Sequence, residues 1–217
     1  MVSYKEPVPR ARRAAAPAAR DDAPRARLDV DERRKQLLEL GVQTFGHKSY
    51  DEVSIDELAA AAGISKGLLY HYFPTKKDFY VATVRESAQR FVERTTRAGA
   101  TSDKDPLARL QAGLDGYLDY VVEHQAPYAA LLRSGVGVDP EVARIVDDTR
   151  ATLTAQLLEG TAVDAGDPLM RLAVRGWLGF VEHATLSWLD GKRRVARAQL
   201  RDLLASVLLA ALQGAAK

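Results

Sequence analysis

Residues 54–80 read SIDELAAAAGISKGLLYHYFPTKKDFY, and the small polar residues that punctuate this stretch decide how it folds. Ser54 has a hydroxyl that can cap a helix, while Glu57, three residues on, reaches back to close a capping box. Ile55, Leu58, Ala59 and Ala62 recur at helical spacing, and Gly63 stands where a helix commonly ends in a left-handed residue that glycine adopts at no steric cost. Ile64 is an apolar plug for the turn, and Ser65 is a second N-cap. The next helix runs from about Ser65 to Phe73, because Pro74 biases its predecessor away from helix. Thr75 then caps a further helix whose first turn carries Asp78. The stretch is two short helices joined by a glycine turn, with a third helix starting behind them.

On a wheel of about 100° per residue, Lys66, Gly67, Tyr70 and His71 share one half of the second short helix, and Leu68, Leu69, Tyr72 and Phe73 the other. The first half suits DNA: a cation and phenol or imidazole donors hold phosphates, and glycine lets the backbone come close to a groove. The bland alternative is an ordinary helical hairpin with a solvated polar face.

Thr44-Phe45, the segment from Ile55 to Gly63, the run from Ser65 to Phe73 and Lys76-Lys77-Asp78 together resemble the N-terminal domain of the TetR family of transcriptional regulators, over roughly residues 31 to 80. The resemblance implies an all-α homodimer, each chain with a three-helix DNA-binding head and a larger helical body that binds a small inducer. It implies that Thr44 and Ser54 touch the phosphate backbone, that Lys66, Gly67, Tyr70 and His71 enter the groove, and that Lys76 holds a phosphate. Tyr72 stands where the family often has histidine and joins the DNA set by position, although the wheel turns it inward.

Composition agrees. The chain has 217 residues, a net charge of +2 and no cysteine, so no disulfide, thiolate metal site or cysteine nucleophile is available. Lys and Arg outnumber Asp and Glu by three up to Lys77 and fall one short after it. Local placement of lysines therefore matters more than bulk charge. No uninterrupted apolar run reaches the length of a membrane span, and no apolar signal-peptide core is present, so a cytoplasmic protein without membrane contact is expected. Residues 1–28, rich in Ala, Pro and Arg, read as a disordered arm in which Arg10, Arg12, Arg13, Arg20, Arg25 and Arg27 either lie against DNA or merely solubilise the chain.

About nine helices are expected, grouped as a helix-turn-helix head over residues 29–76 and a ligand-binding and dimerisation body over 77–217. Helix one runs from about Asp31 to Phe45, and the long helix from Thr75 to about Arg97 links head to body. Asp105-Pro106, Ala126-Pro127, Asp139-Pro140 and Asp167-Pro168 mark four helix starts, since proline is favoured at the first helical position. They give spans of 105–124, 127–133, 140–159 and 168–189, and the last helix covers about 194–213. Its apolar stripe, with Leu200, Leu203, Leu204, Val207, Leu208 and Ala211, and one edge of the preceding helix, with Leu172, Gly176 and Gly179, make the candidate dimer seam. In the family resembled, the last two helices form that seam as a four-helix bundle. A twofold dimer places two reading helices about 34–36 Å apart and demands a palindromic operator.

The ligand site is sought among Tyr117, Tyr120 and His124, then Tyr128 and Arg133, then Trp177, Val181, His183 and Trp188. Such a lining suits a largely apolar ligand with one or two polar anchors, although each residue taken singly fits a plain core position equally well. Catalysis is the competing class. The histidines at 47, 71, 124 and 183 show no paired metal-ligand spacing, and no phosphate-cradling glycine loop or nucleophile elbow is present. No enzyme, cofactor or metal site is expected. The function expected is a sequence-specific DNA-binding regulator, and the resemblance implies a repressor released from its palindromic operator by a small, largely apolar ligand. The alternatives are an activator of the same build, and a helical ligand-binding or adaptor protein without specific DNA binding.

Overall fold

The computed structural model describes residues 23–48, 50–100, 105–132, 139–159 and 166–216. Among them the chain is all α: α1 Ala23–Phe45, α2 Ile55–Ala61, α3 Lys66–Tyr72, α4 Lys76–Ala100, α5 Pro106–Glu123, α6 Gln125–Ala130, α7 Pro140–Glu159, α8 Pro168–Asp190 and α9 Arg197–Ala215. No helix among the described residues is long and apolar enough to cross a membrane.

Helix starts follow the capping chemistry. The Ser54 hydroxyl accepts from the Glu57 amide at 3.1 Å while the Glu57 carboxylate accepts from the Ser54 amide at 3.3 Å, which is the complete capping box. The carboxylates of Asp105, Asp139 and Asp167 accept backbone amides at the heads of α5, α7 and α8. Each aspartate thereby satisfies one of the donors a helix start leaves free. Three starts differ from expectation, the last being α9, which begins at Arg197 rather than about 194. α1 begins at Ala23, so residues 23–28 continue the helix rather than the expected arm, whose remaining residues, Arg10, Arg12, Arg13 and Arg20 among them, lie outside the described ones. α6 begins at Gln125, two residues before Pro127, because His124 closes α5 and opens α6 at once.

Two cores result. In the head, Leu37 and Leu38 of α1, Val53, Ile55 and Leu58 of the α2 segment, Leu69 and Phe73 from α3 and Phe79 of α4 pack together. In the body, Leu114 and Leu118 of α5, Leu158 of α7, Val174 and Leu178 of α8 and Leu200, Leu204 and Leu208 of α9 form the larger cluster. α4 runs through both. Its first turns pack against α1, where a Cβ placed on Gly41 would lie 2.4 Å from Thr83 Oγ1 and 2.9 Å from Phe79 Cζ, so only glycine fits. A smaller apolar cluster of Val81 and Val84 with Val142 and Ile145 then fastens α4 to α7.

Candidate nucleic-acid interface and the cavity behind it

Gly63 adopts φ +64°, the left-handed turn that lets α3 cross α2, and the Ser65 hydroxyl caps α3 by accepting the Leu68 amide at 3.1 Å. α3 then buries Leu69 (1 % exposed) and places Phe73 (3 %) beneath its end, one turn on. Lys66, Gly67, Tyr70 and His71 all face outward, beside exposed Ser54, and Thr44 is half-buried at the end of α1. Tyr72 is half-buried against the head core, with its ring 5.8 Å from that of His71.

Leu68 departs from the wheel. It is 40 % exposed, although the wheel assigned it to the inner half. With Leu69, Tyr72 and Phe73 defining the buried direction, Leu68 sits about 90° away, on the flank. It joins the outward face as an apolar group able to meet a thymine methyl. A wheel centred on the pair one turn apart, Leu69 and Phe73, would have revealed this.

Four lysines in and beside the head are already engaged. The Lys66 ammonium donates to Asp56 at 2.9 Å, which raises its pKa and ties it across the α2–α3 turn. Lys48 faces Glu57 at 3.5 Å. Lys77, though exposed, bridges Asp139 at 3.2 Å and Glu141 at 3.5 Å and so ties the start of α4 to the head of α7. Lys76 instead rests on an aromatic ring, 4.4 Å above the centroid of Tyr50.

Behind the head, a cavity of ≈ 880 Å³ runs between α4, α5, α7 and α8. Tyr117, Tyr120, His124, Tyr128, Trp177 and Val181 all line it. Two other expected residues do not contribute. His183 is exposed on the outer side of α8, and Trp188 is buried at its end, where its indole donates to the Val195 carbonyl at 2.8 Å. Arg133 lies outside the described residues. The lining missed in sequence comes chiefly from α4 and α7, where Phe91, Ile145, Val146 and Leu153 supply apolar wall. Their facing is set by tertiary packing, and no motif marks it.

Polar groups punctuate the lining. The Tyr117 and Tyr128 hydroxyls lie 2.6 Å apart, and burial pushes both phenols upward, so they stay protonated hydrogen-bonding groups. Burial also pushes the Tyr120 phenol up to about 12, while its hydroxyl donates to the Ser87 carbonyl at 3.2 Å. Arg150 of α7 grips Glu182 of α8 through two bonds of 2.9 and 2.7 Å, a bidentate pair that closes one wall and spends its charge internally. The cavity also reaches the head: Val42, Phe45, Tyr50 and Tyr80 form its near end.

The candidate dimer seam divides in two. Leu200, Leu204 and Leu208 are 4 %, 0 % and 3 % exposed and belong to the body core, a correction to their place in the seam. They turn toward α5 and α8, which bury that side of α9. Leu203 (49 %) and Leu172 (66 %) do lie outward, with Val207 and Ala211 half-buried beside them. A Cβ at Gly176 or Gly179 would meet nothing within 4 Å. Exposed Leu169 and Phe180 extend the same face of α8.

Residues 37–83 match the family described as bacterial regulatory proteins, tetR family, and residues 106–211 match the tetracyclin repressor-like C-terminal domain. A solved tetR-family transcriptional regulator from Streptomyces coelicolor is 35 % identical, covering 86 % of this chain and 82 % of that one, with a TM-score of 0.76. The HTH-type transcriptional activator FasR of Mycolicibacterium smegmatis is 26 % identical over 171 residues, 78 % of each protein. FadR from Bacillus subtilis, solved in complex with stearoyl-CoA, shares the fold at 16 % identity and a TM-score of 0.63, covering 82 % of this chain and 98 % of that one.

Proposed function

We propose that this chain, which belongs to the TetR family of transcriptional regulators, is a homodimeric repressor that binds a palindromic operator through α3 and releases it when an elongated, largely apolar ligand fills the body cavity. One observation carries the reading. The outward face of Lys66, Gly67, Leu68, Tyr70 and His71 stands on a capped, glycine-turned pair of helices, and α4 connects that pair to the wall of the cavity. Thr44, Ser54 and Lys76 flank this face as phosphate contacts, which fix register while the α3 side chains read base edges.

The outer faces of α8 and α9 are the dimer surface in this reading, because leucines and bare glycine backbone together allow close approach to a symmetry mate. The volume and apolar wall suit a long acyl chain, a class the stearoyl-CoA complex of the B. subtilis neighbour supports. The paired Tyr117 and Tyr128 hydroxyls offer its polar end a hydrogen-bonding partner. Ligand and operator then prefer different head positions, and a typical coupling of about 1–3 kcal/mol lowers operator affinity roughly 5- to 150-fold.

Activation is the second reading, favoured by the long match to an activator. The test is selection of bound duplexes from a random DNA library, titration of the winner at several salt concentrations, and a reporter carrying that site. A palindrome with half-sites one turn apart and lowered reporter output is the expected result. Raised output selects activation. No enriched motif sinks the regulator mechanism and leaves a ligand carrier.

A further inference from the structure

We infer that Tyr50 is a positioning residue for the DNA interface, holding Lys76 ready for a phosphate and walling the ligand cavity at the same time. Lys48, Lys66 and Lys77 each face a carboxylate, which a phosphate must displace or share. Lys76 is held differently: its ammonium sits 4.4 Å above the Tyr50 centroid. A ring face attracts the cation without supplying a counter-charge, so the full positive charge stays available. It also confines a flexible side chain that loses conformational freedom when it grips a ligand.

The ring is itself braced. Tyr50 packs on Tyr80 at 5.1 Å, and Tyr80 packs edge-on against Phe45 at 4.9 Å. Tyr80 follows Lys76 by four residues on α4, so the two lie on one helix face and Tyr50 spans both. Phe45, Tyr50 and Tyr80 all border the cavity, whereas Lys76 does not. A molecule that displaces these rings moves the perch of a DNA contact directly, by a route shorter than the length of α4.

The inference rests on the reading of Lys76 as a phosphate contact, so the experiment tests the two separately. Operator binding is measured by fluorescence anisotropy with the selected duplex across a salt series, for Tyr50→Leu, Tyr50→Phe, Lys76→Gln and the Tyr50→Leu/Lys76→Gln pair. Lys76→Gln is expected to weaken binding and reduce the salt slope by about one. Tyr50→Leu is expected to weaken it about two- to fivefold, Tyr50→Phe to restore it, and Tyr50→Leu to cost nothing further once Lys76 is gone. A general folding defect from the leucine would weaken binding in both backgrounds, so a loss confined to the protein that keeps Lys76 marks the positioning role, and a melt of each variant checks that it is folded at the assay temperature. Wild-type binding by Tyr50→Leu, or an undiminished loss in the Lys76→Gln background, overturns the positioning role. Wild-type binding by Lys76→Gln overturns the phosphate contact, and the role of Tyr50 with it.

Discussion

The head and the body of this molecule are specified in different ways. In the head, neighbours within three or four residues decide the structure: Ser54 with Glu57, Ser65 with Leu68, and Gly63 alone at its left-handed turn. In the body, single-residue signals place helix starts, but the facing of each helix is decided by partners far away in sequence. Arg150 finds Glu182 across 32 positions, and the Trp177 indole donates to the Leu204 carbonyl 27 positions on. Local specification makes a reading surface that tolerates substitution of its outward residues. Non-local specification makes a cavity whose walls are also the core.

The sharpest way to break this contrast is Leu204→Asp. The side chain is fully buried among α5, α8 and α9, so the change loses the ~2–5 kcal/mol of a buried leucine and adds a desolvated carboxylate. A thermal melt should show a collapse of folding. Its neighbour supplies the control. Leu203→Asp alters a half-exposed side chain, and the monomer should fold with a near-wild-type melt while sedimentation shows the dimer lost and operator affinity falls steeply. A Leu203→Asp protein that remains dimeric would remove the α8/α9 outer face as the seam.

In the head, Lys66→Ala should leave the melt unchanged, lower operator affinity several-fold and cut the salt slope by about one, read by the same titration. A drop in stability would mean that the Lys66 bond to Asp56 holds the two helices together rather than aiming a cation.

The smallest expected effect concerns His124 at the cavity rim. Burial lowers its pKa, outweighing the raising influence of Glu123. The folded protein therefore keeps the imidazole neutral to lower pH than the unfolded chain does. Its stabilising contribution is complete above the ordinary histidine value and drains away as pH falls through the lowered one. His124→Gln should flatten the melting temperature against pH in that interval, and an unchanged profile would place the titration elsewhere.

These contrasts also explain what could be read in advance. Caps, the glycine turn and the Asp-Pro helix starts are short-range chemistry, so the head and most helix boundaries were legible from residue order. Leu68 escaped because two turns of helix leave its flank undetermined until the buried direction is known. Leu200, Leu204 and Leu208 lie on the same wide apolar stripe as Leu203 and Val207, and periodicity cannot divide a stripe between core and partner. The α4 and α7 wall of the cavity carries no chemical mark at all, and ordinary apolar residues become a binding surface only once three other helices leave a gap beside them.

Gly41 sets where motion can begin. Its missing side chain lets α1 lie against Thr83 and Phe79 with no room for a single extra carbon, so α1 and the opening turns of α4 are clamped like the blade and tang of one tool. In the proposed release mechanism the two then move as one body, and a head swing hinges farther along α4, beyond Thr83, on the stretch where Ser87 and Phe91 line the cavity. On that reading a small displacement at the hinge grows along the blade before it reaches α3.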